Sequence, residues 1–327
     1  MRIAILGATG MLGHHAARAV LDDGHQLVVL YRNPASLARL ADLRYEGRQA
    51  ELADRVALTR ALHGVDGVIN AAAPYPSAPR PWREEVIAAT QQMQVFYHAV
   101  DDAKVARIVY VGAAIALPRR PDAKPADGSE RYLGEPASHN PYLQMKWAMD
   151  EQALHLAAKG LPVVIGIPAM SFGEHDYGPT TGQLITGIAK GSLTRYVRGE
   201  RNVVAASDAG RGLVLALLRG TPGQRYLLTG HNTDMDKLTA LIARLAKVPA
   251  PKPAPLALAR ASGRAQAWRY RAFGGALPTI SDTAIAVMSA GQHLDGSRSL
   301  AIGYAPRVSL EDTVERALRW FKAQRMC

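Results

Sequence analysis

The chain has 327 residues, 48% hydrophobic and 20% charged, with 39 Lys and Arg against 28 Asp and Glu, a formal charge of +11. That composition suits a globular protein of one large or two modest domains, and the lone Cys327 excludes a disulfide framework or a cysteine-built metal site within one chain. The basic residues are scattered, with no basic block and no basic helix interleaved with aromatics, which argues against nucleic acid and leaves an anionic small molecule or a solvated basic surface as the reason for the charge.

The first element is the apolar run "RIAIL", entered at once, with no secretory pattern before it and no apolar run of membrane-spanning length anywhere. A cytoplasmic protein without membrane association is expected. "GATGMLGHHAARAVLDDGH" follows, in which Gly7, Gly10 and Gly13 punctuate a turn and Leu12, Ala16, Ala19 and Val20 recur at helical spacing up to Gly24. "QLVVLYR" then reads as a second strand. Strand, glycine turn, helix and strand in this order place backbone N–H groups and a helix N-terminus where a pyrophosphate can sit, with Thr9 and Met11 in the same turn. A dinucleotide site is the reading. At the end of the second strand, where a carboxylate would receive the ribose hydroxyls of NAD, stand Tyr31 and Arg32. Arginine suits a 2′-phosphate by charge and by its forked donors, so NADP is preferred over NAD; the alternative is an exposed surface arginine.

"GVDGVINAAAP" gives a strand ending in small residues, 82–103 a long helix, "ARIVYVG" a strand, and "LPVVIGIPAMSFG" another after a further helix. Repeated strand–helix units with near-continuous apolar strands predict an α/β fold: a doubly wound parallel sheet, Rossmann-like, covered on both faces. Between the last two strands lies "HNPYLQMKWAMDEQALHLAAKG". Pro141 suits a helix start, and Tyr142 and Lys146 stand four residues apart on one helical face. A tyrosine ordinarily titrates near pH 10; a neighbouring ammonium favours the phenolate and makes the pair a usable general acid/base, with the lysine also within reach of a ribose. The alternative is a half-buried tyrosine beside a solvated lysine.

Beyond residue 168 no second nucleotide signature and no repeat is visible. "TTGQLITGIAKG" and "DAGRGLVLALLRG" read as helices and "QRYLLTG" as a short strand; "DMDKLTALIARLAKV" is amphipathic, with Leu238, Leu241, Ile242 and Leu245 expected in a core. The Pro-rich stretch from Pro249 reads as a linker, and Trp268, Tyr270 and Phe273 in "AQAWRYRAFGG" as a hydrophobic substrate wall, a subunit contact or, by default, the small core of a lobe.

Together "GATGMLG", "VINAAAP", "PYLQMK", "GLPVVIGIPAMSFGEHD", "GRGLVLALLRGTPGQRYLLTG" and "GYAPRVSLEDTVERALRWF" make the chain resemble the extended short-chain dehydrogenases/reductases, the family of nucleotide-sugar epimerases and dihydroflavonol-4-reductase-like enzymes, over almost its whole length. The resemblance implies a dinucleotide-binding domain over 1–168, with 194–219 returning to it, a mainly helical substrate lobe over 169–327, and a homodimer. It implies that Gly7, Gly10 and Gly13 form the cofactor turn, that Arg32 meets the NADP phosphate, and that Glu51 and Leu52 lie at the adenine. It places Ala71, Ala72 and Ala73 in the small segment after the fourth strand, Tyr142 and Lys146 as the catalytic pair, and Pro168 beside the nicotinamide. No metal is implied.

One position departs from the family. Where its members end the fifth strand in serines, the last of which polarises the substrate oxygen, this chain has Ala113 and Ala114. Replacement donors are sought in Ser138, His139 and Asn140. The Pro-rich segment with Arg119, Arg120 and Lys124 either faces an anionic substrate or is a surface loop. The reading is an NADP(H)-dependent oxidoreductase or nucleotide-sugar epimerase acting on a small, possibly anionic substrate. The rival is a dinucleotide-binding sensor or assembly protein that lost turnover with the serine.

Overall fold

The computed structural model describes residues 1–72, 76, 80–274 and 282–327. In chain order it lays down β1 (Arg2–Leu6), α1 (Met11–Asp22), β2 (Gln26–Tyr31), β3 (Glu46–Gln49), α2 (Arg55–Leu62), β4 (Gly67–Asn70), α3 (Trp82–Asp102), β5 (Arg107–Val111), α4 (Pro141–Ala158) and β6 (Val163–Pro168). Then come β7 (Met170–Phe172), α5 (Gln183–Ala189), β8 (Arg195–Tyr196), β9 (Glu200–Ala205), α6 (Ala206–Arg219), β10 (Arg225–Leu228) and β11 (His231–Asp234). The chain closes with α7 (Met235–Ala246), β12 (Lys252–Pro253), α8 (Leu256–Phe273), α9 (Asp282–Ser289), α10 (Ser297–Leu300) and α11 (Leu310–Ala323).

The main sheet is parallel throughout and runs β10-β6-β5-β4-β1-β2-β3. Its order reverses between β1 and β4, the switch point at which open parallel sheets take ligands beyond the carboxyl ends of their strands. The apolar runs follow from burial on both faces. On one face Ile3, Ile5, Val29 and Val109 pack with Ala16 and Val20 of α1 and Leu213 of α6. On the other, Ala4, Leu6, Val28 and Ile108 pack with Phe96 of α3 and Met145 and Met149 of α4.

A separate core gathers Phe172, Ile185, Leu238, Ile242, Val314, Leu318 and Phe321, with Leu241 and Leu245 half-buried at its edge. A small sheet β11-β9-β7 lies beside it, β9 pairing antiparallel with β11 and parallel with β7. The boundary at residue 168 is crossed more than once. Of the segment 194–219, α6 packs on the main sheet while β9 belongs to the small one; β10 then forms the edge of the main sheet, and Ile302 and Tyr304 join its core.

Two expectations are corrected. The Pro-rich stretch from Pro249 is not a bare linker: Lys252–Pro253 pairs parallel with β8, an edge where a missing donor is tolerated, and Pro255 caps the 18-residue helix α8. The aromatics of α8 form no core. Trp268 is 65% and Phe273 76% exposed, edge to face at 5.8 Å, and Gly263 is the helix's one buried residue. Arginines recur between the apolar residues of this helix, so it has no continuous apolar stripe to bury. Among the described residues no helix is long and apolar enough to cross a membrane.

Candidate active site

The glycine turn joins β1 to α1 at the switch point. Gly7 holds φ +81°, and a Cβ there would stand 2.8 Å from the Ala71 carbonyl carbon. A Cβ on Gly13 would sit 2.1 Å from the Gly7 oxygen. Both glycines are therefore fixed by the protein's own backbone. Gly10 differs: a Cβ there would meet only the Gly7 oxygen, at 3.5 Å, so the space in front of it is open. Gly10 is also the N-cap of α1, no side chain caps that helix, and its first turn carries no acidic residue. The donors and the positive end of α1 thus face an uncrowded space, and these residues fit a dinucleotide pyrophosphate.

Ala71 and Ala72 are half-buried at the end of β4, where the buried Asn70 accepts from Ala72 N at 3.1 Å and fixes the turn. Ala73 lies outside the described residues. At the end of β2, Tyr31 is half-buried and Arg32 is exposed, 4.0 Å from Glu51, while Leu52 packs on the core. A cation and a carboxylate thus stand side by side there. Pro168 ends β6, in register with Leu228 of β10.

Helix α4 begins sharply. Asn140 accepts from Tyr142 N at 3.0 Å and Leu143 N at 3.2 Å, with Pro141 in the first turn. The buried Gln144 donates to the carbonyls of Pro136 and Ser138 and so fixes the incoming loop. Tyr142 packs half-buried against the main core, as does Ala114. Lys146 is 5% exposed, one turn on, with its Nζ 5.9 Å from the Tyr110 ring centroid. Burial pushes its ammonium down to about 8, against an opposing pull from Asp150. A lysine poised there exchanges a proton near neutral pH, as a phenol on the same face requires.

Ala113 is extended and Ala114 opens a short 3-10 turn, so this chain has no side-chain donor after β5 at those positions. Of the three residues sought as replacements, Asn140 spends its side-chain oxygen capping α4, the His139 ring stacks on Trp82 at 5.3 Å, and Ser138 is exposed with its backbone carbonyl accepting from Gln144. The basic segment is folded down rather than loose. Arg120 pairs with Asp122, Asp127 and Glu130, and Arg119 pairs with Glu200 and donates to the Gly291 carbonyl.

Sequence reasoning missed Arg201. It is 5% exposed on β9 and donates to two backbone carbonyls, those of Glu200 and Met288. Burial, and the nearby Arg119, push it down to about 10. Among the described residues Arg201 has no carboxylate partner, and a charged guanidinium so buried is costly unless an anion meets it. Its signal in the sequence, one arginine in "RGERNVVA", is indistinguishable from its neighbours.

Sequence reasoning also missed a histidine cluster behind α1. His14 and His175 stack face to face at 3.5 Å, and His14 Nε2 lies 3.2 Å from Asp42, which also holds Arg18. Metal-ligating atoms of His14, Asp42 and His175 lie within 4.8 Å of one another. The in-plane lone pairs of the two stacked rings run in parallel planes, however, and do not converge on one point. Burial pushes both His14 and His15 down to about 4.

Comparison with known proteins agrees with this geometry. Residues 3–228 match the NAD dependent epimerase/dehydratase family. A crystal structure of a nucleoside-diphosphate-sugar epimerase from Pseudomonas aeruginosa superposes with a TM-score of 0.87 and 45% identity over 100% of this chain and 99% of that one. A provisionally named dihydroflavonol 4-reductase of Synechocystis sp. is 25% identical over 97% of this chain and 94% of its own. Sterol demethylase protein B of Methylococcus capsulatus is 27% identical over the full length of both.

Proposed function

Because the chain belongs to the NAD dependent epimerase/dehydratase family, we propose that it is an NADP(H)-dependent reductase or nucleotide-sugar epimerase acting on a carbonyl or alcohol carbon of an anionic substrate, with Tyr142 as general acid/base. The observation that carries this reading is the Tyr142–Lys146 pair on one face of α4, with the lysine buried and its proton made labile. The dinucleotide, when bound, supplies or takes the hydride. Gly7, Gly10 and Gly13, with Thr9 and Met11, would hold its pyrophosphate; Arg32 would take the 2′-phosphate, Glu51 and Leu52 would border the adenine, Ala71 and Ala72 would let the cofactor approach the backbone after β4, and Lys146 and Pro168 would border the nicotinamide riboside.

Tyr142 gives its phenolic proton to the substrate oxygen during reduction and takes one during oxidation, and the Lys146 ammonium stabilises the phenolate in between. Arg201, backed by Arg119, meets the substrate's negative group. An epimerase uses the same pair twice, oxidising and then reducing one carbon. A homodimer in the cytoplasm, without nucleic-acid or membrane partners, completes the proposal. The second reading, a dinucleotide sensor without turnover, is favoured by Ala113 and Ala114, because removing an oriented donor costs on the order of 2.7–4 kcal/mol at a developing oxyanion.

The test is fluorescence titration with NADPH and NADH, followed by a screen of carbonyl compounds and nucleotide-sugars for cofactor oxidation or epimerised product. Turnover that disappears in Tyr142→Phe supports the enzyme reading. Tight NADPH binding with no turnover across the panel moves the assignment to the sensor, and binding of neither nucleotide overturns both.

A further inference from the structure

Helix α4 carries a third polar group on the face of Tyr142 and Lys146. Asp150 lies one turn beyond the lysine, 1% exposed, among apolar residues of the main core. Its Oδ2 accepts from Arg225 of β10, itself 5% exposed, which also donates to the Glu130 carbonyl at 2.8 Å. Its other oxygen, Oδ1, is buried with no hydrogen-bond partner. The hydroxyls of Tyr97 on α3 and Tyr110 on β5 are buried and unpartnered too, and the Tyr110 ring is the one beside Lys146 Nζ.

An ion pair serving stability alone gains most when both carboxylate oxygens are satisfied by the guanidinium fork. Here one oxygen is left open. An unsatisfied charged oxygen in the interior is expensive, and besides Arg225 the cation on its own helix face is the Lys146 ammonium one turn away. We propose that Asp150 is a positioning residue for the proton-transfer pair: its carboxylate, fixed by Arg225, is the buried counter-charge that keeps Lys146 an ammonium behind Tyr142. This rests on the assignment of Tyr142 and Lys146 as that pair.

The surroundings assign the task to Asp150. From α3 and β5 the facing groups are Tyr97 and Tyr110, both pushed up by burial and so neutral. From α4 they are Tyr142 and the half-buried Glu151, which also lies 3.0 Å from Arg131. From β10 and the 127–131 loop they are Arg225, which carries the positive charge, and Glu130, whose side chain is spent on Arg120 and on the backbone of Asp127 and Gly128. Burial lowers Lys146 and Asp150 opposes it, while Asp150 is itself pushed up by burial and held down by Arg225. Arg225 also ties this charge to the segment that carries Glu130.

The experiment is a carbon-13 NMR titration of the lysine Cε resonances in the full-length chain without substrate, the Lys146 signal being identified by its loss in Lys146→Gln. Lys146 in the wild-type protein titrates near 8, and Asp150→Asn lowers its midpoint by at least one pH unit, to a tenfold higher proton concentration. Asp150→Glu restores it, and Tyr110→Phe leaves it in place. Should Asp150→Asn fail to fold because Arg225 is left unpaired, Asp150→Asn combined with Arg225→Met removes both charges, and the same fall is expected. An unchanged midpoint in whichever of the two folds overturns the proposal. The titration needs no turnover, so its failure is separate from that of the Tyr142 assignment, which Tyr142→Phe decides. Once a substrate is found, Asp150→Asn lowers kcat several-fold at pH 7 with KM unchanged, and the loss shrinks at lower pH as Lys146 takes its proton back. A loss equal at all pH values overturns the proposal as well.

Discussion

The histidine cluster makes this protein acid-labile well above the range of its carboxylates. His14 is 2% exposed and the His15 side chain 11%, and burial brings both from an ordinary 6.5 down to about 4. The unfolded chain therefore binds protons at these two sites at higher pH than the native protein does. Their contribution to stability is complete above pH 6.5 and drains away as pH falls from there to 4. At about 1.36 kcal/mol per pH unit, each histidine loses roughly 2 kcal/mol between pH 7 and pH 5. Asp176, pushed up by burial to about 6, works in the opposite sense and returns roughly 1.4 kcal/mol over the same interval. The net loss is about 2.6 kcal/mol, a large share of the ~5–15 kcal/mol that holds a typical domain together. Urea unfolding at pH 7 and pH 5 measures it directly. His14→Gln keeps a donor toward Asp42 but cannot take the extra proton, so it loses about 2 kcal/mol less than the wild type over that interval. Parallel stability–pH curves for the two proteins would refute the assignment, whatever else in the chain titrates.

Three further outcomes follow from the site. Gly10→Ala folds normally, since its Cβ meets only the Gly7 oxygen at 3.5 Å, yet loses dinucleotide affinity; Gly13→Ala, with its Cβ 2.1 Å from that oxygen, loses about 1–3 kcal/mol of stability as well, both read by urea unfolding and NADPH fluorescence. Arg32→Glu weakens NADPH at least tenfold while leaving NADH within a factor of three, and an equal loss for both would remove the phosphate role. Ala114→Ser restores a donor after β5 and raises kcat/KM on whichever substrate turns over, by up to about a hundredfold. No gain there means that the developing oxyanion lies elsewhere.

The doubly wound fold was legible because its signals are local and repeated. Apolar runs such as "RIAIL" and "VVIGIP" are buried on both faces, and Gly7 and Gly13 answer to backbone contacts that no other residue permits. Tyr142 and Lys146 were legible through helical spacing. What escaped was whatever depends on distant segments meeting. Arg201 becomes unusual only because β9 carries it inward beneath the 288–291 segment, and His14 only because the loop after β7 brings His175 onto it. Asp150 looks like any helical carboxylate until β10 supplies Arg225. The aromatics of α8 misled in the opposite direction, since composition suggested a core that the arginines between them prevent.

The missing serine does not by itself return the protein to a mere binder, and the reason is energetic. Holding a dinucleotide needs the glycine turn, open space before Gly10 and one donor to the ribose, none of which requires a phenol. This chain keeps Tyr142 one turn before a buried ammonium and buries a carboxylate with one oxygen unsatisfied one turn after it. Each buried charge opposes folding by several kcal/mol unless it is matched. An arrangement of that cost, aligned on a single helix face behind the tyrosine, supports the proposed enzyme over the binder, and Tyr142→Phe decides between them.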